Sequence, residues 1–74
     1  MPTSEEAPIA RLWQLCWQND RLSCAVYRDG EELQLRVQSP YAVIITEHFD
    51  LQPRALARAQ ALRDALKRRG WTES

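Results

Sequence analysis

DRLSCAVYRDGEELQLRVQ, residues 20–38, alternates apolar and polar side chains on either side of the pair Asp29-Gly30. A period of two marks a half-buried strand, because successive side chains leave opposite faces of the backbone. Asp-Gly between two such runs predicts a tight hairpin, since its central residues must tolerate positive φ. Folding the chain there sets Val26 beside Leu33, Cys24 beside Leu35 and Leu22 beside Val37.

The preceding run, IARLWQLCWQ at residues 9–18, has the same period, with Trp13, Leu15 and Trp17 in phase. A two-residue turn at Asn19-Asp20 places Trp17 opposite Leu22, Leu15 opposite Cys24 and Trp13 opposite Val26. Two independently placed turns thus bring nine residues of three strands to one face. After Ser39-Pro40 the β-branched and aromatic run from Tyr41 to Phe49 predicts a fourth strand. A two-residue turn would put Ala42 and Ile44 on the core face, whereas one extra residue selects Val43, Ile45 and Phe49. The second register buries more apolar area and is preferred; it places Glu47 near Leu33.

From Pro53 the chain is rich in helix formers until Gly70. Asp50 is the expected N-cap, and Pro53 suits the first turn, where its missing N–H is not needed. Leu56, Ala59, Leu62 and Leu66 recur at steps of three and four, with Ala55 filling the stripe, so this helix covers the sheet's apolar face. The expected architecture is α+β: a four-stranded antiparallel meander with one C-terminal helix packed on one face, β-β-β-β-α. It forms a single domain over residues 10–74 behind a flexible tail at 1–9. Trp13, Trp17, Leu22, Val26, Leu35, Val37, Leu56, Leu62 and Leu66 are the expected core. Trp71 is expected to fold back on the last helical turn or on the sheet edge.

Composition narrows the function classes. Ten basic and ten acidic residues cancel, which argues against a dedicated polyanion binder. The balance is uneven along the chain. Residues 1–50 hold four Arg and eight acids, and residues 51–74 hold six Arg or Lys and two acids. The start, MPTSEEAP, has no basic segment leading into an apolar run, and no stretch approaches the length of a membrane span. A cytoplasmic location without membrane contact is therefore expected. In the predicted pairing Cys16 and Cys24 lie on opposite sheet faces, which precludes a disulfide. Two cysteines and a single histidine also fall short of a structural zinc set.

Three kinds of activity can be set against these residues. Thr46, Glu47, His48 and Asp50 lie close in sequence, yet in a strand Glu47 and His48 point to opposite faces. With only Gly30 and Gly70 there is no phosphate-binding glycine loop. The chain is expected to be no enzyme, with no cofactor and no metal. Arg54, Arg58, Arg63, Lys67, Arg68 and Arg69 load the helix, but at 100° per residue they scatter around it, whereas phosphate-tracking surfaces gather charge on one face. Nucleic-acid binding is the alternative. The favoured reading is a protein-interaction module, self-associating or binding another protein. Its expected surface is the outer sheet face with Tyr27, Ala25, Arg36, Ile44 and His48, together with an uncovered first or fourth strand.

RLSCAVYRDGEELQLRV and ALARAQALRDALKRRGW, residues 21–37 and 55–71, carry a resemblance. The chain resembles small uncharacterised bacterial proteins in which a strand meander leads to a phenylalanine, here Phe49, a capping turn and an alanine-rich helix. That helix ends in the pattern LRxxLxxxGW, here Leu62-Arg63, Leu66 and Gly70-Trp71. The resemblance spans residues 11–72 and implies the fold, with no activity to transfer. Strand order followed by a helix is also similar in topology to the single-stranded-DNA-binding coactivator and Whirly folds. Their basic sheet and aromatic platform have no counterpart in this acidic strand half.

Overall fold

The computed structural model describes residues 7–74. β1 (Ala10–Trp17), β2 (Asp20–Asp29), β3 (Glu32–Gln38) and β4 (Val43–Phe49) form an antiparallel meander. α1 (Gln52–Arg68) and the two-residue β5 (Thr72–Glu73) follow. The sheet order is β4-β3-β2-β1-β5, so α1 carries the chain across the sheet from one edge to the other. The α+β class and β-β-β-β-α order are those expected. β5 is an addition: Thr72 pairs with Cys16, Glu73 with Leu15, and the Ser74 N–H donates to the Gln14 carbonyl at 3.2 Å. Of the tail expected at 1–9, residues 1–6 lie outside the described residues; the Ile9 N–H donates to the Val26 carbonyl at 2.8 Å.

Both hairpin turns sit one residue from the positions the sequence suggests, in opposite directions. β1 and β2 close at Trp17 and Asp20 around Gln18-Asn19, and β2 and β3 close at Asp29 and Glu32 around Gly30-Glu31. In each loop the first residue takes the positive φ, 55° at Gln18 and 66° at Gly30. Glycine therefore occupies the position that demands it, while Asp29 stays in the strand. Moving a turn by one residue shifts every partner by two, and a shift of two leaves each side chain on its original face. Val26 consequently faces Leu35 rather than Leu33, and Cys24 faces Val37 rather than Leu35. The common dry face survives both displacements, and Cys16, now opposite Arg21, stays on the reverse face from Cys24.

Two bulges adjust the edges. In β1 the pairing passes from Arg11–Ala25 to Trp13–Cys24, leaving Leu12 as the extra residue. In β4 it passes from Val37–Ile45 to Gln38–Val43, with Ile44 extra. Ile45 and Phe49 thus take the core face, as in the preferred register, and both pack on the core. Val43 does not, because the bulge turns it away and leaves it 49% exposed. Glu47 lies opposite Leu35, and Phe49 takes the place beside Leu33.

Cys24, Val26, Leu33, Leu35, Val37, Ala55 and Ala59 form the buried cluster, with Leu12, Trp13, Leu22, Ile45, Phe49 and Leu62 packed around it. Two alanines supply the helix's fully buried positions, so the helix backbone approaches the sheet closely. Leu56 lies on the border instead, 39% exposed above Leu12 and Trp13. The indole N–H of Trp13 donates to the Ala59 carbonyl at 2.9 Å and fastens β1 to α1. Trp17 is not under the helix. It is 45% exposed and rests on Trp71, ring centroids 5.8 Å apart.

The helix begins without the expected cap. Leu51 is the N-cap residue and makes no side-chain cap bond, while Asp50 pairs with Arg54 at 3.7 Å. Its C-terminus stops as the sequence indicates, at Gly70 with φ 112°. The Gly70 N–H donates to the Lys67 carbonyl and the Trp71 N–H to the Leu66 carbonyl, both at 3.1 Å. This paired closure directs Trp71 back toward the sheet and leads the chain into β5.

Candidate interaction surface

The two edges of the sheet differ. β5 pairs with β1 at Leu15 and Cys16. Among the described residues no strand covers the outer edge of β4. The alternation of an antiparallel ladder fixes which groups this edge presents. Asp29 and Glu32 close a two-residue loop, so even-numbered residues of β3 bond toward β2 and odd-numbered ones toward β4. The Ser39 N–H, donating to the Ala42 carbonyl at 2.9 Å, follows that rule. Ile45, Glu47 and Phe49 therefore use their backbone groups on β3. Thr46 and His48 turn theirs outward.

Apolar side chains gather at the start of the same strand. Tyr41 is 93% exposed, Ile44 57% and Val43 49%. β4 carries neither Lys, Arg nor Pro, the residues with which many proteins blunt an open edge. Its one acidic residue is already engaged: Glu47 accepts from Arg58 Nε at 3.0 Å and from Arg58 Nη2 at 3.2 Å. That contact, by hydrogen bond and then by charge, raises the Arg58 pKa further above neutrality.

On the outer face the expected residues form a lattice more than an open patch. The Arg36 guanidinium stacks 4.2 Å from the Tyr27 ring centroid, and Gln38 Nε2 donates to the Tyr27 hydroxyl at 3.0 Å. Arg36 also donates to the Gln34 amide oxygen. His48 Nε2 lies 3.2 Å from both Gln34 Nε2 and Asp29 Oδ2, so that nitrogen either accepts from the amide or donates to the carboxylate. Ala25 and Tyr27 are buried, 7% and 8% exposed. Of the five residues expected to mark this surface, only Ile44 and His48 are exposed, and both lie on β4. The bulge that singles out Ile44 has no signature in the sequence beyond a run of β-branched residues.

The helix cations are largely occupied. Arg54 faces Asp50, Arg58 faces Glu47, and Arg63 and Lys67 both reach Glu73, at 3.7 and 2.7 Å. The Lys67 hydrogen bond, then its charge and that of Arg63, hold Glu73 below the usual carboxylate range. Arg68 and Arg69 remain exposed at the helix end. These pairs lie on opposite flanks of α1, one toward β4 and one toward β5, and they do not merge into a basic stripe.

An open recess of about 510 Å³ lies between the first hairpin and the β3–β4 turn, lined by Asp20, Arg21, Leu22, Pro40, Tyr41 and Trp71. The Ser39 hydroxyl shapes that turn by accepting from the Tyr41 and Ala42 N–H groups, both at 3.1 Å. Among the described residues no helix is long and apolar enough to cross a membrane, and no His, Cys, Asp and Glu side chains cluster as a metal site. No protein-family model matches the chain, and neither a curated protein nor a solved structure is similar to it.

Proposed function

We propose that this chain is a non-catalytic protein-interaction module whose working element is the open edge of β4. The observation that carries this reading is the coincidence of outward backbone groups at Thr46 and His48 with exposed Tyr41, Val43 and Ile44. An extended partner strand gains main-chain hydrogen bonds from the first set and buried apolar area from the second, the usual logic of strand addition. Nucleic-acid binding has less support. Four of its six candidate residues, Arg54, Arg58, Arg63 and Lys67, already face carboxylates, so phosphate would have to compete for them.

Affinity capture from lysate tests this with and without nuclease, using wild type and Ile44→Lys. Ile44 is exposed, so lysine there leaves the core intact while adding charge to the edge. A partner retained by wild type after nuclease and lost with Ile44→Lys is the expected result. Capture abolished by nuclease, or indifferent to Ile44→Lys, would overturn it.

A further inference from the structure

We infer that the partner of the β4 edge is a second copy of this chain, paired antiparallel across a two-fold axis at Thr46. The inference rests on the edge-binding reading above and adds the identity and register of the partner. Antiparallel pairing of one strand with its own copy is closed by symmetry: whatever residue i meets on the partner, that residue meets i in return. Pairing β4 with β4 uses this edge on both copies, and among the described residues β5 already occupies part of the opposite edge, at Leu15 and Cys16. Such pairing ends at a dimer rather than continuing into a filament.

The side chains choose among three registers centred within the strand, since a fourth, centred on His48, would pair Thr46 with Asp50 beyond the strand's end. Centring the axis on Glu47 would set two carboxylates directly opposite each other, which is unfavourable. Centring it on Ile45 would put Ile44, the bulged residue whose ladder geometry is disturbed, into both bonded pairs flanking the axis, whereas centring on Thr46 keeps the central pair clear of the bulge. Centring it on Thr46 pairs the two Thr46 residues through reciprocal N–H to carbonyl bonds and lays Ile44 beside His48 of the second copy. Threonine facing threonine is a favourable cross-strand pair. Each Glu47 then faces Ile45 of the other copy and keeps its own Arg58, so no like charges are opposed. Both helices lie on one side of a continuous ten-stranded sheet, and on the other face each exposed Ile44 is flanked by His48 of the second copy.

Sedimentation of the purified chain over a wide concentration range tests this, together with Thr46→Lys and Thr46→Glu. Thr46 is exposed, so neither substitution disturbs the monomer's core. Wild type is expected to shift from 8.6 kDa toward twice that mass as concentration rises. Each variant alone is expected to stay at 8.6 kDa, because the two-fold axis would set like charges face to face. Their equimolar mixture is expected to recover the dimer. Wild type remaining monomeric at all concentrations, or a mixture no heavier than its components, would overturn the self-pairing. The edge reading would then still stand or fall by Ile44-dependent capture. Thr46→Pro adds a backbone test: its missing N–H faces outward, so the monomer's far-ultraviolet spectrum should persist while the dimer is lost.

Discussion

Leu35→Ala probes the packing on which every surface argument depends. Leu35 is fully buried at the centre of the sheet, in one cluster with Ala55 and Ala59 of the helix above it. Alanines already bring the helix close, and its two flanks are tied by the Arg58–Glu47 and Lys67–Glu73 pairs, so the site has little freedom to collapse. Loss of three carbons costs about 2.4 kcal/mol in transfer free energy, and the retained cavity raises this to about 3–4 kcal/mol. A domain of this length has about 4–11 kcal/mol of stability in all. The melting temperature should therefore fall by roughly 12–30 °C. Urea titration followed by circular dichroism measures the change at a concentration low enough to keep the chain monomeric. Leu51→Ala is the matched control: the same atoms are removed from a side chain 52% exposed, and the cost should stay within about 0.5 kcal/mol. If Leu35→Ala costs less than about 1 kcal/mol, or no more than the control, the assigned dry face is wrong.

Two further outcomes follow from single contacts. Trp13→Phe should cost about 1–2 kcal/mol, losing the indole N–H bond to Ala59 and part of the ring's packing, as read by urea titration. Burial pushes the Cys24 thiol up to about 12 from an ordinary 9.0, so a thiol reagent at mildly alkaline pH should label Cys16 and spare Cys24 until the chain unfolds. The same shift has a defined sign in stability. The folded state holds the proton that the unfolded chain releases, so this contribution is fully present below the unfolded thiol's pKa. It declines as pH rises from there toward about 12, at up to ~1.4 kcal/mol per pH unit. Comparing the alkaline slope of wild type with that of Cys24→Ala isolates this effect from tyrosine and lysine titration; equal slopes would rule it out.

The fold was legible in the sequence because its strongest signals tolerate small errors. Alternation fixes the face of a side chain, and the face is indifferent to a turn misplaced by one residue, as at Gln18-Asn19 and Gly30-Glu31. Features that lack such redundancy were illegible. A bulge changes parity at a single point, and nothing in VIITEHF distinguishes Ile44 as the residue that will be skipped. β5 is two residues long and owes its pairing to the closure at Gly70, so no periodic pattern exists to announce it. Asp50 satisfies every local rule for a cap, yet the helix starts after Leu51 and the carboxylate turns to Arg54. The candidate site falls between these cases. Ile44 and His48 could be placed on the outer side from their phase alone. Their shared position on an open edge follows only from the sheet order, because an edge is defined by the strand that is missing beside it. The outer-face pair Ala25 and Tyr27 shows the converse: phase puts them outside, and neighbouring long polar side chains nonetheless enclose them. In a sheet with a helix on one side, phase tells which way a residue points, and only topology tells what stands there.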